Sequence, residues 1–343
     1  MAITTSEIRE KIREKIRKEI REVMTLLAQT ITANGGEIDT KGLPYNNQRA
    51  IISRLFRGEE GYGQGQGRLQ GSGYVHSHGH GHGQEHILLR LVVLNSYYST
   101  NADYSYFSLE RLAERIIHET TQFAGKSGKL PNDYFYDIVL QNLGKPTTIG
   151  KDFFEASYGI QKIGTPGATL KSLISKYAYY CMMMDTKRYP LGFPIYDSLA
   201  RESYRKVMSA LGLKPQTAQT LQSGSIGEYI SALNELREEI FGKGSTALFC
   251  GLQQFDILDA YLWWMGKLEG GNFSLLLTEG EYKMLINYVK PTPPIKGDKS
   301  REKKIDEQIA EALKNIGAAP FASIADSQRK KFLTAMINHW RKL

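Results

Sequence analysis

Apolar residues recur every three or four positions along most of this chain, and that spacing predicts α-helices rather than β-strands. The clearest stripe lies near the N-terminus and consists of Ile8, Ile12, Ile16, Ile20, Val23 and Leu27. Further helices are predicted at residues 107–122, 134–143, 152–160, 169–180, 199–211 and 217–242. Because strand-like alternation does not persist in any segment, the predicted fold class is all-α with many helices.

The positions between the N-terminal apolar residues are occupied by arginine, glutamate and lysine of alternating charge. A helix with one apolar face and one charged face packs against the rest of a fold or against a second copy of itself. We therefore expect this helix to have a packing role rather than to contact DNA. The stripe alone does not choose between internal packing and a dimer, so the oligomeric state is left open.

Glycine, histidine and proline divide the chain into segments. Between Arg57 and Gln84 the hydrophobic periodicity is lost, and histidine alternates with glycine from His76 to His82. Imidazoles at alternate positions can chelate a metal, but no carboxylate or cysteine joins them, so we interpret this segment as a flexible surface loop without a functional metal site. The predicted segments are an N-terminal helical segment (1–56), the Gly/His-rich loop (57–85), a helical core (86–289), a linker (290–304) and basic C-terminal helices (305–343).

Composition narrows the class of protein. No run of about 18 apolar residues occurs and the N-terminus is charged, which predicts a soluble, cytoplasmic protein without a membrane partner. Cys181 and Cys250 are isolated, so the chain alone supplies neither a four-cysteine iron–sulfur cluster nor a zinc ribbon, and the two thiols fit a reducing compartment. With 44 Lys and Arg against 36 Asp and Glu, the net charge is +8, which favours a polyanionic partner such as DNA.

The candidate chemistry begins with a turn at residues 164–169. The sequence Gly164-Thr165-Pro166-Gly167-Ala168-Thr169 predicts a tight hairpin that leads into a helix. Backbone amides at a helix N-terminus, together with the helix dipole, can hold a DNA phosphate. An ordinary helix start with a threonine cap is the alternative interpretation.

Lys171 and Lys176 lie on the helix that follows this turn. Five positions correspond to about 140° around an α-helix, so the two amines are not expected to enter the same pocket. A lysine in a desolvated cleft can lose its proton near neutral pH and attack C1′ of a nucleotide that has been flipped out of the duplex. Exposed lysines are commoner, so either residue alone also fits a surface position.

Asp197 precedes the helix predicted at 199–211, where aspartate is a favoured N-cap. A carboxylate in this position can alternatively face the sugar. It would then stabilise the positive charge that develops as a base leaves, or orient the attacking amine. Lysine and aspartate on successive helices are a more specific combination than either residue alone.

These residues carry a resemblance to a known superfamily. Pro166-Gly167 with Lys171, followed by the Pro194-Ile-Tyr-Asp197 turn, resembles the helix-hairpin-helix DNA glycosylases. Ser175-Lys176-Tyr177 and the segment 193–198 are similar to a pattern in bacterial 8-oxoguanine DNA glycosylase-like proteins. Two further segments, 94–101 and 255–267, also resemble this family. The resemblance covers roughly residues 86–267.

The resemblance implies a two-lobed helical fold that needs no metal or redox cofactor. It implies that Ser175 and Ser198 join the hairpin residues in binding DNA. Tyr196, Trp263 and Trp264 are the candidates for the pocket of the flipped base, where an aromatic ring can stack on it. Because successive helical residues point about 100° apart, one tryptophan can belong to the core while the other stacks on a base or packs against a C-terminal helix, and core positions for both are the default interpretation. The second hairpin glycine of the family is missing. Alignment on the hairpin favours Lys171 as the nucleophile, whereas the Ser-Lys pattern favours Lys176, which we prefer.

The sequence therefore predicts a DNA glycosylase that excises a damaged or modified base, either in repair or in defence against foreign DNA. Attack by lysine would permit an associated β-lyase step, whereas water activated near Asp197 would give a monofunctional enzyme. A protein that binds DNA or another partner without catalysis is the alternative. Pocket shape decides which base is excised, and the sequence does not specify it.

Overall fold

The computed structural model describes residues 5–32, 44–57, 80–98, 106–156, 158, 170–215, 221, 224–269, 335, 336, 338 and 339. In these residues the regular secondary structure is helical, and the extended chain forms only an isolated bridge between Phe249 and Leu252. The prediction of an all-α chain is thus confirmed for the described residues. None of their helices is both long and apolar enough to cross a membrane.

Ten helices are formed by the described residues: α1 (Thr5–Thr32), α2 (Pro44–Arg57), α3 (His80–Tyr98), α4 (Tyr106–Ser127), α5 (Asp133–Gln141), α6 (Lys151–Glu155), α7 (Lys171–Met183), α8 (Ser198–Ala210), α9 (Ile226–Phe241) and α10 (Gln254–Glu269). Several bounds differ from the sequence prediction: the helix predicted at 217–242 begins at Ile226, after the non-helical residues 224 and 225, and the helix predicted at 107–122 extends to Ser127. Helix α3 includes residues 80–85, which we expected in the Gly/His-rich loop, and α6 ends at Glu155 rather than near residue 160. The rest of that loop, residues 58–79, lies outside the described residues, as does the linker at 290–304.

The chain divides into two compact units. The first unit consists of residues 1–50, 197–224 and 232–343, and the second unit consists of residues 51–196 and 225–231. Helices α2 and α9 each contribute residues to both units.

In the first unit, α10 packs against both α1 and α8. The C-terminal half of the α1 stripe is buried, at Ile20, Val23 and Leu27, whereas Ile8 and Ile12 are exposed. A side chain at Gly266 of α10 would place its Cβ 2.7 Å from the Cβ of Leu199, so the absence of a side chain permits the close approach of α8. The predicted packing role of the N-terminal stripe therefore applies to its second half.

Arg237 of α9 is buried in the first unit, with 2% of its surface exposed. Its guanidinium donates to Asn234 Oδ1 at 2.7 Å, to the carbonyl of Ser245 at 2.6 Å and to Gln254 Oε1 at 2.5 Å. One side chain thereby connects α9, the loop that follows it and the start of α10. The sequence pattern did not indicate that this arginine is buried, because arginine is mostly exposed in folded proteins.

We expect Arg237→Met to lower the free energy of unfolding by about 3–5 kcal/mol, because the buried acceptors lose a charged donor. The measurement is equilibrium unfolding in urea. The matched control is Arg205→Met, which replaces an exposed arginine of α8 and should change stability by less than about 0.5 kcal/mol. Equal stability of the two variants would contradict the anchoring role.

The second unit has α7 in contact with α3 and α6, while α4 contacts α3 and α5. Aromatic rings fill much of the space between these helices. Phe135 of α5 lies 6.0 Å from Tyr177 of α7, and Phe154 of α6 stacks on Phe193 with centroids 5.6 Å apart. The segment 189–196, which follows α7, is therefore part of the core rather than a surface connection.

Asp133, at the start of α5, holds the segment that follows α7 in place. Its carboxylate accepts hydrogen bonds from Arg188 Nε at 2.7 Å, from Tyr189 Oη at 2.9 Å and from the amide of Leu130 at 2.8 Å. The bond from Arg188 is the main reason that the pKa of Asp133 lies below its ordinary value.

A lowered pKa in the folded state stabilises the protein above the unfolded-state value, which is about 3.9, and this stabilisation is lost as the pH falls through the folded-state value. We expect Asp133→Asn to lower the free energy of unfolding by about 1.5–3 kcal/mol at pH 7, and by progressively less below about pH 4. Chemical unfolding measured from pH 7 to pH 3 tests this. The exposed Asp152→Asn is the control, and a deficit for Asp133→Asn that did not shrink in acid would contradict the charged role of Asp133.

Candidate functional site

Helix α7, which carries both predicted lysines, is buried on nearly every side. Ser172 and Met183 are its two residues that are not buried. Lys171 and Lys176 are 6% and 3% exposed, so neither occupies the surface position that is usual for lysine. A buried amine requires polar neighbours, and the structure gives each lysine a different set.

Lys176 lies against α3. Its Nζ donates to Ser172 Oγ, one turn earlier in α7, at 2.5 Å, and it lies 5.1 Å from the centre of the Tyr98 ring. The Tyr98 hydroxyl is in turn 2.7 Å from the hydroxyl of Tyr180. The amine is therefore held between a hydroxyl group and the face of an aromatic ring, where a cation is attracted by the π-electrons.

Lys171, at the first position of α7, lies against α6. Its Nζ is 3.7 Å from Oε1 of Glu155, the last residue of α6, and 5.7 Å from the centre of the Tyr196 ring. The neighbours of Lys171 and Lys176 thus differ, which agrees with their separation of about 140° around the helix.

Ser175 connects α7 to the segment that precedes Asp197. Its hydroxyl donates to the carbonyl of Ser172 at 3.0 Å and accepts the amide of Tyr196 at 2.9 Å. Tyr229 of α9 adds a bond to the carbonyl of Ile195 at 2.7 Å, and its ring lies 4.9 Å from that of Tyr196. Ser175 is fully buried and serves this internal contact, and its predicted contact with DNA stays a prediction.

Asp197 is the N-cap of α8. Its Oδ1 accepts the amide of Leu199 at 2.8 Å, and its backbone is extended, as N-cap residues generally are. This is the structural role that the sequence offered as one of two alternatives. Asp197 and the exposed Ser198 belong to the first unit, whereas both lysines belong to the second, so the pairing of a lysine with Asp197 stays a prediction.

The remaining predicted site residues are likewise divided between the two units. Trp263 and Trp264 belong to the first unit, where Trp264 is buried and Trp263 is partly exposed with Lys267 Nζ 5.1 Å from its ring centre. Tyr196 belongs to the second unit, so the shared base pocket also stays a prediction. The hairpin residues Gly164, Thr165, Gly167 and Thr169 lie outside the described residues, as do His76 and His78.

Sequence reasoning missed three residues that surround the lysines. Tyr98 falls within the segment 94–101 that carries part of the resemblance, but nothing in that segment indicates a contact with Lys176. Ser172 is one turn from Lys176, a spacing at which side chains meet on a helix. Glu155 had no sequence signal, because its approach to Lys171 depends on how α6 packs against α7.

Comparison with known proteins identifies no relative. No family model, no curated protein and no solved structure matches the chain. Within the described residues, histidine, cysteine, aspartate and glutamate side chains do not form a group of three that could hold a metal ion. The chemistry of the site is therefore argued from its own residues.

We expect Ser175→Ala to lower the free energy of unfolding by about 1–3 kcal/mol, because the buried amide of Tyr196 loses this acceptor. The control is Ser198→Ala, which removes an exposed hydroxyl at the start of α8. Thermal unfolding of both variants measures the difference. If the two variants unfold at the same temperature, Ser175 does not fix the segment before Asp197.

Proposed function

We propose that this protein is a DNA glycosylase with a two-lobed helix-hairpin-helix fold, acting in base-excision repair or in defence against foreign DNA with modified bases. The observation that supports this most is the burial of two lysine side chains on one helix. Lysine is almost never fully buried unless it is paired, and buried ionisable groups are concentrated at functional sites. Desolvation favours the neutral amine, which is the form that attacks carbon.

The proposed reaction begins when the modified nucleotide leaves the base stack and enters the protein. A lysine of α7 attacks C1′ of the sugar, the bond between C1′ and the base breaks, and the base departs. The carboxylate of Asp197 stabilises the positive charge that develops on the sugar during this step. The resulting link between enzyme and sugar permits a β-lyase step, which cuts the strand.

DNA is the proposed partner because the chain carries a net charge of +8 and the predicted hairpin offers backbone amides to a phosphate. Such contacts position the protein along the duplex without reading its sequence. Tyr196 and the two tryptophans are proposed to contact the flipped base.

The alternative is a protein that binds DNA or another macromolecule without catalysis. The internal contacts favour it in one respect, because Lys176 bonded to Ser172 and Asp197 capping α8 both have structural roles. Catalysis and structure are compatible for these residues, so activity has to be measured directly.

The experiment uses the full chain and a panel of duplexes, each with one modified base, including 8-oxoguanine. We expect release of at least one base, detected as a free base by mass spectrometry and as an abasic site by alkaline cleavage. Binding to the duplexes without base release or strand cleavage on any of them would favour the non-catalytic alternative.

A substitution at Asp197 separates its two roles. Asparagine caps helices about as well as aspartate but carries no charge, so Asp197→Asn should preserve stability while lowering the rate of base release by about 10²–10³-fold. The matched control is Asp152→Asn, which removes an exposed carboxylate and should leave the rate unchanged. An unchanged rate for Asp197→Asn would restrict this residue to helix capping.

A further inference from the structure

Glu155 and Lys171 form a long ion pair in the second unit. Glu155 ends α6 and Lys171 begins α7, and the distance from Glu155 Oε1 to Lys171 Nζ is 3.7 Å. That separation exceeds the 2.7–3.2 Å of a nitrogen–oxygen hydrogen bond, although the two groups remain within reach of Coulomb attraction. Oε1 is buried and forms no hydrogen bond.

Buried apolar residues and an aromatic ring lie next to the pair. Phe154 and Leu170, the chain neighbours of the two residues, are buried, and the ring of Tyr196 lies beside the amine. The side chain of Lys171 is 7% exposed and that of Glu155 is 25% exposed, so the amine is largely removed from water and has the Glu155 carboxylate beside it. A shortening of the pair by less than 1 Å would bring it to hydrogen-bond distance.

We propose that Glu155 accepts the proton of Lys171 during the attack on C1′, which makes Lys171 the nucleophile. This inference rests on the proposed glycosylase function and assigns the base that the reaction requires. Asp197 then has the separate task of stabilising the developing charge on the sugar.

The proton balance of the step is complete. Glu155 takes one proton from the Lys171 ammonium, and the free electron pair of Nζ forms the bond to C1′ while the electron pair of the bond to the base leaves with the base. The new Nζ–C1′ amine gives up its second proton, which the departing base receives. Glu155 returns its proton to the ring oxygen O4′ as the C1′–O4′ bond breaks, leaving a protonated imine between Lys171 and the open sugar.

Lys176 has a different kind of neighbour. The hydroxyl of Ser172 accepts a hydrogen bond from its amine, but an alcohol does not take up a proton near neutral pH. A carboxylate is the group that serves as a general base in this pH range. The proposal therefore assigns the attack to Lys171, which has the carboxylate of Glu155 beside it, whereas the Ser-Lys sequence pattern favoured Lys176.

The test traps the imine with borohydride on the duplex that the panel identifies as the substrate, using the unmodified full chain. Borohydride reduces the imine to a stable amine, and peptide mapping by mass spectrometry then locates the modified lysine. We expect the sugar remnant on Lys171. A remnant on Lys176 or on another residue overturns the inference, and this readout does not depend on whether any variant folds.

Single-turnover trapping rates then test Glu155. Glu155→Gln should slow adduct formation by about 10²-fold or more while leaving duplex affinity unchanged, and Glu155→Asp should recover part of the rate because it restores a carboxylate. The matched control is Glu110→Gln, an exposed glutamate of α4. Equal rates for Glu155→Gln and the control, or no recovery by Glu155→Asp, overturn the role of Glu155.

The failure of this inference can be distinguished from failure of the proposed function. Base release without a trapped adduct means that water is the nucleophile, so the glycosylase stands and the Lys171–Glu155 mechanism falls. Absence of both base release and adduct on every duplex of the panel overturns both.

Discussion

The burial of α7 is the constraint on which the second unit depends. A helix that is enclosed on nearly every side cannot extend its lysine amines to solvent, as surface lysines do. Each amine has a polar neighbour inside the unit, Ser172 for Lys176 and Glu155 for Lys171, and each lies near a tyrosine ring. The packing that encloses α7 therefore also buries two lysine amines, which are exposed in most proteins.

The same helix fixes the chain that leads to Asp197. Ser175 accepts the amide of Tyr196, Tyr229 donates to the preceding carbonyl, and Tyr189 donates to Asp133 earlier in the segment. Several buried hydrogen bonds over a few residues leave little conformational freedom. The peptide that immediately precedes Asp197 is therefore a rigid part of the second unit, although it has no regular secondary structure.

The sequence predicted most of the described helices because their apolar spacing is periodic, as in α1, α4 and α8. It also anticipated the N-cap role of Asp197 from its place before α8, and the role of this carboxylate beside the sugar stays a prediction. It did not predict the burial of α7 or of Arg237, since both facts depend on which elements enclose these residues rather than on local spacing. The approach of Glu155 to Lys171 was hidden for the same reason, because a long-range side-chain contact leaves no periodic signal. Gly164, Thr165, Gly167 and Thr169, which lie outside the described residues, stay predictions.

Three ion pairs of the described residues, each with at least one buried partner, are of two kinds. Arg49 and Asp256 join through two hydrogen bonds, of 2.8 and 2.5 Å, and Arg188 and Asp133 do so at 2.7 and 2.5 Å. Bidentate geometry of this kind satisfies both partners and holds elements together, and arginine does not give up its proton. The pair of Glu155 and Lys171 differs on each count: its atoms are 3.7 Å apart, the glutamate Oε1 forms no hydrogen bond, and lysine is the cation that can deprotonate. Bidentate pairs of the first kind hold structural elements together, whereas proton transfer requires a pair of the second kind.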